Sequence, residues 1–131
     1  VIVLDTHALV WWANGDDALS TNAKKAIEDE LDADQIVISA ISAWEIAMLV
    51  ERERLVLSMD VSNWLNTLAQ IEAVRVLPVD IEIGVKSVNL PGEFHNDPAD
   101  RMIVATARKL AAPLVTCDEK IRNYKHVKTI W

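Results

Sequence analysis

Four acidic residues carry the chemical interest of this 131-residue chain: Asp5, Glu45, Asp100 and Asp118. Asp5 closes the β-branched run VIVLD and Asp118 closes PLVTCD. Glu45 comes just after the apolar segment IVISA, and Asp100 lies in Asp97-Pro98-Ala99-Asp100, which opens a helical pattern. Carboxylates that converge repel one another unless a cation sits among them. Hard oxygen donors without a Cys or His cluster favour Mg²⁺ or Mn²⁺ over zinc. One such ion, or a pair roughly 3.5–4 Å apart, can activate a water and stabilise the leaving oxygen of a phosphodiester.

Each acid also has a purely structural use. Asp5 can shape the turn before Thr6, Glu45 can pair with a surface arginine, and Asp118 can cap the turn Glu119–Asn123. Asp97 reads as an N-cap with Pro98 at the first helical position. Asp100 then falls at the third, where an acid also favours the helix dipole. His7 and His95 read as hydrogen-bonded or solvated rather than as ligands, and no Ser or Cys has triad partners. Thr6, Ser42 and Thr116 lie beside the acids, where they either orient carboxylates and waters or act as ordinary caps. The five tryptophans (Trp11, Trp12, Trp44, Trp64, Trp131) read mostly as core or interface residues, and Glu51–Arg54 as a solvated helix face.

The elements that must position these acids follow from the apolar pattern. VIVLD, QIVIS from Gln35, and PLVTCD read as buried parallel strands. RVLPV reads as a brief strand ended by Pro78, and KHVKTIW as an edge strand. Between them lie helical patterns: ALVWWA stopped by Asn14-Gly15, Ser20 to Leu31, AWEIAMLVERERL after Ser42, a helix opened by Asp60 or Ser62 and running to about Ile71, IEIGVKSV, and Asp97 to about Leu110. NLPGEFHNDP is the longest turn-rich stretch and is expected as a loop at one edge of the site. Short apolar strands alternating with amphipathic helices predict an α/β fold, a parallel sheet covered on both faces. In such sheets ligands sit outside the carboxyl ends of the strands, where Asp5 and Asp118 emerge.

Bulk properties are compatible with this site without selecting it. Length fits one domain, and 51% hydrophobic residues suffice for a core. The net charge of −7 argues at first against a phosphate-rich ligand. It is unevenly placed, however: Arg101–Trp131 holds seven basic residues against two acidic ones, a net of +5, leaving −12 for the remainder. The lone Cys117 fits a reducing compartment. No apolar run approaches the ~18 residues of a membrane helix, and VIVLDTHALV has no basic leader. The expectation is a soluble, cytoplasmic protein whose start at Val1 reflects trimming of a residue or two.

The segments VIVLDTHALVWW, VISAISAWEIAML, HNDPADRMIVATA and LVTCDEKI resemble, in order and spacing, the four signature blocks of PIN-domain ribonuclease toxins of the VapC type. The resemblance covers nearly the whole chain, and the DPADRMIVATA block is especially specific. It implies one PIN domain over residues 1–131, with a three-layer α/β/α sandwich around a central parallel sheet. It also implies Mg²⁺- or Mn²⁺-dependent cleavage of RNA, homodimerisation, and inhibition by a cognate antitoxin whose C-terminal segment fills the active-site groove. Matched block by block, Asp5, Glu45, Asp100 and Asp118 are the implied metal-binding, catalytic acids. Asp97 is the alternative third acid, and the fourth acid is the least constant in the family. The implied chemistry is in-line attack by an activated water with no covalent enzyme intermediate.

Two rivals remain at this level. A Mg²⁺-dependent phosphatase would use Asp5 as nucleophile, but His7 replaces the acid expected two residues later. A non-catalytic module would bind RNA or protein through the same groove, but it gains nothing from crowded carboxylates. Dimer contacts are expected among exposed apolar residues of the early helices.

Overall fold

The computed structural model describes residues 1–33 and 35–131. Five parallel strands form one sheet in the order β3-β2-β1-β4-β5. They are β1 (Ile2–Leu4), β2 (Ile36–Ser39), β3 (Val74–Leu77), β4 (Leu114–Val115) and β5 (Thr129–Ile130). The helices are α1 (Thr6–Asn14), α2 (Thr21–Leu31), α3 (Ala40–Glu51), α4 (Val61–Ala69), α5 (Ile81–Val88), α6 (Pro98–Lys109) and α7 (Glu119–Arg122).

Alternation along the strands divides the core into two layers, because successive side chains of a strand point to opposite faces. Ile2, Leu4, Ile36, Ile38, Val74 and Val115 face one way and pack with Leu9 of α1, Ile27 of α2, Ile46 of α3 and Trp64 and Leu68 of α4. Val3, Val37 and Leu114 face the other way, against Ile83 of α5, Ile103 and Val104 of α6 and Ile121 of α7. The strict parallel register, with Val3 beside both Val37 and Leu114, keeps every alternate residue on its proper face. The architecture is thus the three-layer α/β/α sandwich expected, with helices over both faces of a central parallel sheet. Among the described residues no helix is long and apolar enough to cross a membrane.

Chain order departs from sheet order at one place. From central β1 the chain builds β2 and β3 on one side, then returns to lay β4 and β5 on the other. Neighbouring loops diverge above such a switch, so a crevice is expected at the carboxyl ends of β1 and β4.

Several boundaries differ from the sequence expectation, for local reasons. Helix α3 starts at Ala40, because Ser39 rather than Ser42 accepts the free amide of Ile41. It stops at Glu51, and Glu53 takes a left-handed backbone (φ 58°), so only the first residue of ERER is helical. Helix α4 is opened by Asp60, one of the two starts considered. Strand β4 ends at Val115, so Asp118 lies three residues beyond it and caps α7. Thr6 is the first residue of α1, and Asp5 is its cap. Of the tryptophans only Trp64 is buried, while Trp44 is 54% exposed.

The turn-rich stretch after α5 is held down by α6. The Arg101 guanidinium donates to the carbonyl oxygens of Ser87, Val88, Phe94 and His95, and the Tyr124 hydroxyl donates to that of Pro91. These bonds fix the loop beside the start of α6, as its expected position at one edge of the site requires.

Candidate active site

Asp5 follows directly on β1 and is 7% exposed. Its Oδ1 accepts the Thr6 amide at 2.8 Å, and its Oδ2 accepts the Thr116 hydroxyl at 2.6 Å. The second bond crosses from β1 to the neighbouring β4 end, because parallel pairing sets Leu4 beside Val115. Thr116 is itself fully buried and also accepts the Asp118 amide at 3.1 Å. One hydroxyl therefore ties two of the four acids to the switch crevice.

Glu45 lies one turn into α3 and is held from α1. The Thr6 hydroxyl donates to Glu45 Oε1 at 2.5 Å and stands 2.9 Å from the Ser42 hydroxyl. With its single proton directed to the carboxylate, Thr6 accepts from Ser42. Asp100 sits in the first turn of α6, where Asp97 caps the helix by accepting the Asp100 amide at 2.9 Å. His95 Nε2 reaches within 3.0 Å of Asp100 Oδ2, but out of line for a hydrogen bond, which leaves that ring nitrogen buried without a bonded partner. Asp118 accepts the Ile121 amide at 3.1 Å as the cap of α7.

The acids feel one another. Burial pushes the Asp100 carboxyl up to about 8, with the charges of Asp5, Asp97, Asp118 and Glu45 adding to it. Asp5 is raised by burial, against the opposing bonds from Thr116 and Thr6 and the nearby His7. Glu45 is raised by burial and by the charges of Asp5 and Asp97, against its bond from Thr6. Burial, with the neighbouring Asp5, also raises the Cys117 thiol, so no thiolate is offered here.

Among the described residues no group of three or more His, Cys, Asp or Glu side chains stands ready to hold a metal ion. The donor set nevertheless fits Mg²⁺ or Mn²⁺. Magnesium is commonly held by one or two carboxylates with water completing its shell, and the mutual repulsion at Asp100 is what a cation relieves.

The fold thus gathers Asp5, Glu45, Asp100 and Asp118 in one electrostatic neighbourhood, and Asp97 acts within it on both Asp100 and Glu45. Three of the five acids, Asp5, Asp97 and Asp118, also serve as helix caps, so the structural and chemical readings hold together rather than compete. Two residues stand otherwise than the sequence suggests. His95, expected to be hydrogen-bonded or solvated, has a buried ring nitrogen without a bonded partner. Arg101 entered only as a charge, although its position beside Asp100 was a visible signal. The contact of His95 with Asp100 had no signal, since it depends on how the loop folds back.

Comparison with known proteins bears on the family and the fold. The family model of the PIN domain matches residues 2–127. The chain is 39% identical over 132 residues to Ribonuclease VapC22 of Mycobacterium tuberculosis, covering 99% of this chain and 98% of that protein. Two solved structures share the fold. VapBC2 of Rickettsia felis, bound to a fragment of its promoter DNA, has a TM-score of 0.70 at 16% identity, covering 98% of this chain and 96% of that one. A toxin–antitoxin complex from Klebsiella pneumoniae has a TM-score of 0.65 at 21% identity, covering 97% and 95%. By its sequence along nearly its whole length, this chain belongs to the PIN-domain family.

Proposed function

We propose that this chain, acting as one PIN domain over residues 1–131, is a Mg²⁺- or Mn²⁺-dependent endoribonuclease and the toxin of a toxin–antitoxin pair. The observation that carries the reading is the coupled set of Asp5, Glu45, Asp100 and Asp118 at the switch crevice of a PIN-family chain. The strongly similar relative is named a ribonuclease, and a fold relative is a toxin–antitoxin complex.

A divalent ion held by these oxygens would supply charge neutralisation and water activation. The chain's own residues do the rest. Thr116 and Thr6 fix the Asp5 and Glu45 carboxylates before substrate arrives, so little reorganisation is needed during reaction. Glu45, in the second turn of α3 and open enough to reach a water, is the group suited to accept a proton from the attacking water. Asp5, buried at the end of β1, is suited to hold charge rather than move a proton.

The partners follow from the same reading: single-stranded RNA as substrate, a cognate antitoxin as inhibitor, and a second copy of the chain. The face for the second copy is α5, where Ile81, Val85 and Val88 are 87%, 56% and 73% exposed. Leu31 on α2 and Trp44 on α3 are the exposed apolar residues that the early helices offer for the same role.

The deciding experiment is cleavage of labelled single-stranded RNA by antitoxin-free protein, with Mn²⁺ and with EDTA, beside Asp5→Asn and Asp100→Asn. The expected result is metal-requiring cleavage that both variants lose while keeping the fold. Wild-type activity in either variant would sink the site, and failure of folded, metal-loaded protein on several RNA types would favour a binding module.

A further inference from the structure

A cleft of about 550 Å³ opens beside the acid cluster, between the loop that follows α5 and the chain that follows α7. Aromatic rings line it in series. Phe94 stands 4.7 Å from Tyr124, Tyr124 stands 5.3 Å from His126, and Phe94 contacts His95 at 4.5 Å. Lys120 and Lys125 complete the walls, with Glu93 as the acid among the lining residues. Both lysines are exposed, and neither has an ion pair among the described residues.

We propose that this cleft is a subsite for one unpaired nucleotide of the RNA substrate, its base stacked against Phe94 and His126 and its phosphates met by Lys120 and Lys125. The inference rests on the ribonuclease reading and deepens it, by naming the residues that would seat one nucleotide of the single-stranded substrate. Three features converge on a nucleotide. The volume lies in the range of small-ligand sites. Flat π-faces with cations beside them are the combination that recognises a splayed base and its backbone. The cleft is also contiguous with the acids on both sides: His95 lines it and touches Asp100, while Lys120 lies on α7, whose cap is Asp118. A nucleotide seated there would adjoin the phosphate presented to the acids. A base within a duplex has both faces already stacked, so the cleft selects unpaired RNA.

The basic C-terminal region gains a use from this. In a chain of net charge −7, cations that are free of acidic partners and border a carboxylate site offset the repulsion a polyanion would meet there.

The test has a binding arm and a turnover arm. In the binding arm, a short fluorescein-labelled single-stranded RNA is titrated onto Asp5→Asn protein across a range of salt. Combining Lys120→Ala with Lys125→Ala should weaken binding on the order of tenfold and reduce the slope of log affinity against log salt by roughly 1.4, about 0.7 for each phosphate no longer neutralised. Next, one abasic nucleotide is walked along the RNA. At one position it should weaken binding several-fold, and His126→Ala should abolish that sensitivity, since a base and the ring it stacks on act as one coupled pair. In the turnover arm, the lysine variant of otherwise wild-type protein should raise KM about tenfold with kcat within about twofold.

Unchanged salt slope and KM would overturn the proposal, as would an abasic effect of equal size in Asp5→Asn protein with and without His126→Ala. A loss of antitoxin affinity with RNA binding intact would make the cleft a protein site and overturn it too. Should wild type cleave no RNA, the ribonuclease reading fails separately; the binding arm decides the subsite without turnover.

Discussion

The Thr116 hydroxyl has one proton to give and directs it to Asp5 Oδ2, while its lone pair takes the Asp118 amide. Replacing it with valine keeps the shape and removes both bonds. Asp5 then keeps only the Thr6 amide, and a buried carboxylate with an unmet oxygen turns towards any other donor. Thr116→Val is therefore expected to lower kcat by about 10–100-fold, the usual range for residues that orient metal-binding groups. Thr116→Ser, which restores the hydroxyl, should recover most of the loss; a valine variant at full activity would show that Asp5 needs no such support. Asp100 makes a second prediction at this scale. Its carboxyl, ordinarily near 3.8, is raised to about 8, so the folded protein keeps a proton there that the unfolded chain has lost. Between those two values folding is opposed increasingly as pH rises, and the penalty is complete above about 8. The Tm of metal-free protein should thus fall across that window, less steeply in Asp100→Asn. Because Mn²⁺ binds the deprotonated form, its stabilisation should grow over the same range. An apo Tm that rises from pH 5 to 8 equally in both proteins would refute the assignment.

At the scale of elements, helix starts decide where the acids stand. Asp97 accepts the amide of Asp100, and Pro98 at the first helical position needs no partner for a missing N–H. The cap aims the first turn of α6, and with it Asp100, at the crevice. Asp97→Ala should then cost about 1 kcal/mol of stability in chemical denaturation, with cleavage reduced no more than several-fold. Loss of cleavage as complete as in Asp100→Asn would instead make Asp97 a ligand. This part of the site was legible in sequence, because capping is local: Asp-Pro-x-x carries its own geometry. The buried strands β1 and β2 were legible for a related reason, since only burial on both faces tolerates an unbroken apolar run such as IVL or IVIS. What stayed hidden depends on distant groups. Apolar pattern reports burial, and Val115 and Thr116 are equally buried, so nothing in PLVTCD marks where strand pairing stops. Sequence left Ser42 open between a cap and a residue that orients the acids; Ser39 is the cap, and Ser42 meets Thr6, 36 residues away, whose hydroxyl holds Glu45. The mutual charge of the acids likewise exists only once β1, α3, α6 and α7 converge.

At the scale of the whole molecule, the outer face of α5 presents an apolar surface that its own chain leaves uncovered. Ile81, Val85 and Val88 recur at helical spacing on the side opposite Ile83 and Ser87, which are buried against the sheet. An apolar stripe left in water favours association, and a two-fold axis is the simplest closed arrangement in which one surface covers itself. The charges around the stripe suit that arrangement. Asp80 and Glu82 at the start of α5 are met within the chain by Lys86 and Lys109, so these charges at the rim of the stripe are compensated and do not oppose pairing. Gly84 adds room, since a Cβ built there meets nothing within 4 Å. Val85→Glu should accordingly shift the sedimenting species from twice the 14.6 kDa chain mass to a single chain, with its circular dichroism unchanged. A wild-type protein that sediments as a single chain at micromolar concentration would remove the homodimer. A Val85→Glu protein that remains paired would move the contact to another face. Where Val85→Glu does become a single chain, its residual cleavage would measure how far the acid cluster, which lies within one chain, depends on a second copy.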